Sequence, residues 1–333
     1  MELKNETLYR DRFRILRKIG EGGSSVVYMA VDNKSGVPVT VKCMRQEAYN
    51  GADVREAIRE ETEVLRSLEH RAIPRVVTVY DDAFVLEYVP GNTLEKIVSR
   101  KGKMRENEAV GVIRELVDIL EYLHSRENPV IYRDLKPANI IIRPDGHVSL
   151  IDFGAARVYR QGDKGDTQNI GTVGFAAPEQ FGSLGQTDPR TDIYCLGKTL
   201  EQIIRGKPVE ELAVIIDKCT RPDREDRFNS CSEVARALDR YPKLVLRRKV
   251  LCSVRIAFMA ASASLVVTFT GSHYESIRSY AAADARTRIP AVKDRLGNAG
   301  IRIRDYLEEK FGVVLEDKSE DGAMLLDLFG DSK

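Results

Sequence analysis

Most of the chemistry this chain could do is concentrated between Val130 and Asn139, in the run Val-Ile-Tyr-Arg-Asp-Leu-Lys-Pro-Ala-Asn. Asp134 is a candidate acid/base, Lys136 a cation beside it, and Asn139 an oxygen ligand, on a segment stiffened by Pro137. Further on, the strand-like run Val148-Ser149-Leu150-Ile151 ends in Asp152-Phe153-Gly154, delivering a second carboxylate and releasing it at a glycine. A carboxylate and an amide oxygen suit a hard cation such as Mg²⁺, while the other carboxylate and the lysine suit proton removal beside developing negative charge. Taken singly, each has a duller use: Asp134 could cap a helix and Asp152 could end a turn. Their order together is what carries meaning.

Asp134, Lys136, Asn139 and Asp152, with Tyr132-Arg133-Asp134 in place of His-Arg-Asp, resemble the protein kinase family, in particular the eukaryotic-like Ser/Thr kinases of bacteria. The resemblance implies a two-lobed α+β fold, with a small antiparallel β lobe carrying one helix, a large mainly helical lobe, and a helical tail. It implies ATP with Mg²⁺, or Mn²⁺, as cofactors, and transfer of the γ-phosphoryl group to Ser/Thr hydroxyls. In that reading Asp134 accepts the hydroxyl proton, Lys136 neutralises the transferred group, and Asn139 and Asp152 hold the metal. The Lys-Pro-Ala-Asn version is similar to Ser/Thr rather than Tyr kinases. Implied partners are protein substrates carrying Ser or Thr and the chain itself, phosphorylated alone or as a dimer.

The elements needed to position these groups can be read in order. Phe13, Ile15 and Ile19 lead into Gly20-Glu21-Gly22-Gly23-Ser24-Ser25-Val26-Val27, a hairpin whose tip lacks bulky side chains, so that N–H groups can close over phosphate oxygens. The resemblance makes Gly20, Gly22 and Gly23 an ATP lid and Val27 a cover for adenine, with Ser25 standing where a third glycine is usual. Lys42 ends the β-branched run Val39-Thr40-Val41, and a lysine inside an apolar strand demands an anionic partner. The family supplies the α/β-phosphates and a glutamate on the next helix; Thr40 replaces the usual alanine and would narrow the nucleotide pocket. Val54, Ile58, Thr62, Leu65 and Leu68 recur at helical spacing between Gly51 and Glu69. The spacing of Leu65-Arg66-Ser67-Leu68-Glu69-His70 resembles the family's helix end, and that resemblance selects Glu61 as the partner of Lys42, with Glu60 turned about 100° away.

Two strands, Arg75–Tyr80 and Ala83–Val89, follow around an Asp81-Asp82 turn, giving an expected small lobe of five strands and one helix. Leu86-Glu87-Tyr88-Val89-Pro90-Gly91 resembles the family hinge, where the Glu87 carbonyl and Val89 N–H would face adenine. Val110, Ile113, Leu116, Val117, Leu120 and Leu123 mark a long helix over Asn107–Arg126. A polar stretch after Asp152 contains Thr167, a candidate phosphosite for Arg133; Thr172 matches the family threonine near Asp134 and Lys136. Glu179 with Arg227 resembles a buried ion pair, and Asp192 should bond back to the catalytic segment.

Composition sets the outer bounds. The net charge is +1, from 52 basic and 51 acidic residues, which gives no reason to expect nucleic acid as partner. Five scattered cysteines show neither zinc-site nor disulfide spacing, and the charged N-terminus lacks the apolar core of a signal peptide. The expected organisation is an N-terminal extension over 1–12, a kinase domain over 13–241 (small lobe 13–89, large lobe 90–241), and a basic linker over 242–249. A transmembrane helix over 250–271 and a tail over 272–333 of unassigned function complete it. Arg247-Arg248-Lys249 before the apolar run would put the kinase domain in the cytoplasm and the tail outside a single-pass cell membrane, the alternative being a cytoplasmic chain. Two other functions fit the motifs less well: a nucleotide-binding pseudokinase scaffold, supported only by Thr40 and Ser25, and a small-molecule kinase, opposed by Thr172 and Ala177-Pro178-Glu179.

Overall fold

The structure, a computed structural model, describes residues 3–49, 54–159, 171–181 and 186–283. The small lobe is one antiparallel sheet of β1 (Leu8–Tyr9), β2 (Phe13–Glu21), β3 (Ser25–Asp32), β4 (Pro38–Met44), β5 (Val76–Val79) and β6 (Ala83–Glu87), in the order β1-β2-β3-β4-β6-β5. Helix α1 (Val54–Ser67) is inserted between β4 and β5. Period-two alternation sorts the two faces. Phe13, Ile15, Val26, Tyr28, Ala30, Val39, Val41, Ala83 and Val85 form a core on one face, while Phe84 and Leu86 turn the other way and join the main core with Ile58 and Leu65 of α1. Lys42, adjacent in sequence to Val41, therefore emerges on the face that meets the large lobe.

The sheet has six strands rather than the expected five. Leu8 and Tyr9 pair with Arg14 and Phe13, and the Tyr9 hydroxyl donates to Asp82 Oδ1 at 2.9 Å. Asp82 thus anchors the added edge strand as well as turning the chain, a role that needs a partner 73 residues away and has no local signal.

The large lobe begins with β7 (Asn92–Thr93), α2 (Leu94–Lys101) and α3 (Glu106–His124). Ala109, Val110, Ile113, Leu116, Val117, Leu120 and Leu123 of α3 are all buried, as the helical spacing requires. Then come β8 (Val130–Ile131), β9 (Ile140–Ile142), β10 (Val148–Leu150), β11 (Arg157–Val158), α4 (Pro189–Ile203) and α5 (Glu210–Cys219). The short strands form two small sheets, β10-β9-β7 and β11-β8, which flank the Tyr132–Asn139 segment between β8 and β9. Helices α4 and α5 approach closely at Gly197, where an added Cβ would lie 2.6 Å from Cys219 Cβ. Cys43, Cys195, Cys219 and Cys231 are buried free thiols, and Cys252 is exposed. Burial pushes the Cys43 thiol up to about 11 and the Cys219 thiol up to about 12.

The final described element is α6 (Cys231–Ala283), one helix with Pro242 inside it. Residues 242–249, expected as a linker, lie within this helix; Lys243, Leu244, Leu246, Arg247, Arg248 and Lys249 are good helix formers. Arg248 Nε reaches Glu211 Oε1 of α5 at 3.2 Å. The expected transmembrane segment over 250–271 is not supported: no helix among the described residues is long and apolar enough to cross a membrane. The apolar run is diluted by Ser253, Arg255, Ser262, Ser264, Thr268 and Thr270. By contacts the chain divides into residues 1–252 and 253–333, the second described as helix to Ala283, with Val254, Ile256 and Met259 exposed.

Candidate active site

Lys42, inside β4, is buried, and its Nζ donates to both Glu61 oxygens at 2.8 and 2.9 Å and to Asp152 Oδ1 at 2.7 Å. Glu61 lies on the buried face of α1 with Ile58 and Leu65, whereas Glu60 is exposed. Burial disfavours the ammonium of Lys42, but the charges of Glu61 and Asp152 outweigh it and raise its pKa. Burial likewise opposes ionisation of Asp152, and the Lys42 charge beside it overcomes this and holds its carboxyl below the usual range. Burial raises the pKa of Glu61, and the Lys42 charge opposes that rise.

Asp134 is held on both oxygens. Oδ1 accepts from Thr172 Oγ1 at 2.9 Å; Oδ2 accepts from Asn139 Nδ2 at 2.8 Å and lies 2.8 Å from Lys136 Nζ. Lys136 Nζ also donates to Thr172 Oγ1 at 2.6 Å, so that hydroxyl accepts from the cation and donates to the carboxylate. Asn139 donates a second bond to the Asp134 carbonyl at 2.9 Å. Its amide nitrogen is therefore committed to Asp134, which turns its oxygen outward.

Two residues of the site have left-handed backbones: Arg133 at φ 67° and Asp152 at φ 66°. Such conformations cost about 1–3 kcal/mol for a non-glycine residue unless the surroundings fix them. Here they do. Asp192, fully buried in α4, accepts the Arg133 N–H at 2.7 Å and the Tyr132 N–H at 2.8 Å, while Gln180 Nε2 donates to the Arg133 carbonyl at 2.8 Å. Arg133 Nε donates to the Ala155 carbonyl at 2.5 Å, and the Tyr132 hydroxyl donates to the Ile151 carbonyl, also at 2.5 Å. Tyr132 is thus a hydrogen-bonding strut to the Asp152 segment as well as a packing residue.

The lid glycines are placed by the β2–β3 hairpin. Gly20 lies across from Val27, and Val27 across from Lys42. Gly22 N–H donates to the Ser25 carbonyl at 2.9 Å, and an added Cβ on Gly22 or Gly23 would meet nothing within 4 Å. Packing does not demand glycine there, which leaves close approach of a ligand to the backbone as the physical use. At the hinge, Glu87 ends β6 opposite Val39, with Val89 just beyond it. Gly91, at φ 135°, could take no side chain, since its Cβ would sit 2.3 Å from the Ile142 carbonyl oxygen. Thr167 lies outside the described residues.

Three contributors were not legible in the sequence. His124 Nε2, at the end of α3, lies 2.8 Å from Asp192 Oδ2; Gln180 holds the Arg133 carbonyl; the Tyr132 hydroxyl braces Ile151. Below the site, Arg227 Nη1 and Nη2 donate to Glu179 at 2.7 and 2.9 Å, and Thr191 Oγ1 donates to the same carboxylate at 2.9 Å.

The donor set fits a hard divalent cation. Asp152 Oδ2 and the outward Asn139 oxygen are oxygen donors with no hydrogen bond among the described residues, and these residues contain no cluster of three or more His, Cys, Asp or Glu. The protein would supply only those two ligands, a pattern suited to Mg²⁺ completed by phosphate and water.

A twisted antiparallel lobe with one buried helix, set on a helical lobe and joined to it by a glycine-bearing hinge, defines the two-lobed kinase fold. The chain belongs to the protein kinase family: the model for the protein kinase domain matches residues 13–236. It is 32% identical over 204 residues to the serine/threonine-protein kinase PrkC of Bacillus subtilis (strain 168), covering 59% of this chain and 31% of that protein. It is 34% identical over 212 residues to the serine/threonine-protein kinase PknB of Mycobacterium tuberculosis (strain ATCC 25177 / H37Ra), covering 60% and 33%. The probable serine/threonine-protein kinase pknA2 of Bifidobacterium longum (strain NCC 2705) matches at 32% over 204 residues, 59% and 27%. The match spans about a third of the length of these relatives.

Proposed function

We propose that the chain is an ATP- and Mg²⁺-dependent protein kinase that phosphorylates Ser and Thr hydroxyls. The observation that carries this reading is the convergence at Thr172: its hydroxyl donates a hydrogen bond to Asp134 Oδ1, while Lys136 Nζ donates to that hydroxyl oxygen. Asp134 is oriented to accept a proton from a substrate hydroxyl, and Lys136 stands beside it to meet the negative charge that develops. Lys42, fixed by Glu61, would bind the α/β-phosphates; backbone N–H groups around Gly20, Gly22 and Gly23 would cover them. Asn139 and Asp152 would hold Mg²⁺, which when bound neutralises phosphate charge. The Glu87 carbonyl and Val89 N–H would face adenine.

Incubation with labelled ATP, Mg²⁺ and a generic protein substrate tests this. Asp134→Asn and Lys42→Ala should each lower transfer by about 10²-fold or more. Equal labelling by wild type and both variants would overturn the mechanism.

Self-phosphorylation at Thr167, alone or as a dimer, is part of the same proposal, supported by the polar stretch around that residue and by Arg133 next to Asp134. Mass spectrometry finding no phosphate between Gly162 and Thr172 after incubation with ATP would remove it. Location at the cell membrane, with the kinase domain cytoplasmic, is supported only by Arg247-Arg248-Lys249 preceding an apolar run. Release of the full-length protein by alkaline carbonate would overturn it.

A further inference from the structure

A groove of about 380 Å³ lies beside the hinge, between α2 and the turn that joins β9 to β10. Ile97 and Ile142 give it an aliphatic lining, and Lys96, Arg100, Lys101 and Arg143 surround it, with no acidic side chain among its walls. Among the described residues, Lys96, Arg100 and Lys101 form no ion pair. Arg143 is partly engaged: its Nη1 donates to the Arg71 carbonyl at 3.3 Å and its Nε lies 3.6 Å from the half-exposed Asp145 Oδ2, but that Nε is buried with no hydrogen-bond partner.

Local helix energetics do not explain this cluster. Arg100 and Lys101 occupy the last turn of α2, where cations are favoured by the carbonyl end of the helix. Lys96 is in the first turn, where the same dipole repels a cation, and Arg143 comes from another element. Lys96 and Arg100 are one turn apart, so they share a face, and Ile97 and Lys101 repeat that spacing next to them.

We infer that this groove docks an acidic, leucine-bearing segment of a protein substrate. Carboxylates of the segment would meet Lys96, Arg100 and Arg143, and an aliphatic side chain would lie over Ile97 and Ile142. Gly91 of the hinge lines the groove, and β9, which supplies Ile142, starts directly after Asn139. A docked segment would therefore hold its protein close to the cleft and raise its effective concentration there. The inference rests on the proposed kinase activity only in calling the partner a substrate.

The test uses the full chain and a fluorescein-labelled peptide of glutamate and leucine in a glycine-serine frame, beside the same peptide with glutamine for glutamate. Fluorescence anisotropy should show the acidic peptide binding about tenfold more tightly than the glutamine one, with an affinity that falls as salt rises. Lys96→Glu with Arg100→Glu should weaken the acidic peptide by about tenfold. The same double variant should keep wild-type transfer to a generic substrate, while KM for that substrate fused to the acidic segment rises and kcat holds. No binding, equal affinity for the two peptides, or unchanged affinity in the double variant would each overturn the docking site. Failure of the kinase reading would look different: no transfer to any substrate, with peptide binding intact.

Discussion

Thr172 shares one hydroxyl between opposite charges, accepting from Lys136 at 2.6 Å and donating to Asp134 at 2.9 Å. It fixes the direction of a carboxylate that otherwise has only Asn139 and Lys136 on its other oxygen. Thr172→Ala should lower kcat by about ten- to a hundredfold, and Thr172→Ser should keep most of it, because alignment of the base contributes at that scale. Thr172→Val is the control: if valine matches serine in steady-state kinetics, the hydroxyl does not orient Asp134. Asp134, Asn139, Asp152 and Lys42 were legible because each occupies a fixed place in a short motif. His124 and Gln180 were not, since they act on partners 68 and 47 residues away and sit in runs that look like ordinary helix and turn.

At the scale of elements, the two lobes meet where glycine is sterically required. A Cβ on Gly91 would overlap the Ile142 carbonyl, and the residue already has a backbone that favours glycine. Gly91→Ala should destabilise the protein by about 2–3 kcal/mol, read as a lowered Tm, and should raise KM for ATP through the displaced hinge. Gly197→Ala tests the other close approach, since its Cβ would meet both Cys219 and Thr220 within 2.7 Å, at Cys219 Cβ and Thr220 Cγ2. That variant should lower Tm and leave KM for ATP unchanged. Helices α1 and α3 were readable from three- and four-residue spacing to within a few residues at each end. The strand β1 was not, because two residues carry no period; only pairing with β2 and the Tyr9 bond to Asp82 make it a strand. The helix α6 runs through Pro242 into residues 242–249, expected as a basic linker, because the residues that follow the proline are good helix formers.

The whole large lobe is bolted by a buried pair, Glu179 with Arg227, the arginine only 1% exposed. Removing one member leaves the other charge buried and unpaired, so Arg227→Met should cost about 3–5 kcal/mol in denaturant unfolding. Burial works against the Glu179 carboxylate and the Arg227 guanidinium outweighs it, leaving its pKa below the usual range. A carboxyl depressed in the folded state gives stability that is complete above its unfolded value, about 4.3, and disappears as pH falls through the folded value. Urea midpoints should therefore drop below about pH 4, and Glu179→Gln, though less stable at neutral pH, should show a shallower fall. The thiols offer a way to watch such losses part by part. Four are sealed in, Cys43 in the small lobe and Cys195, Cys219 and Cys231 around the large lobe, while Cys252 is open. A maleimide added to native protein should tag Cys252 at once and the others only when their surroundings open. Peptide mapping of the tag over time would then serve as an internal clock, showing whether the lobe that holds the lysine comes apart before the one that holds the base.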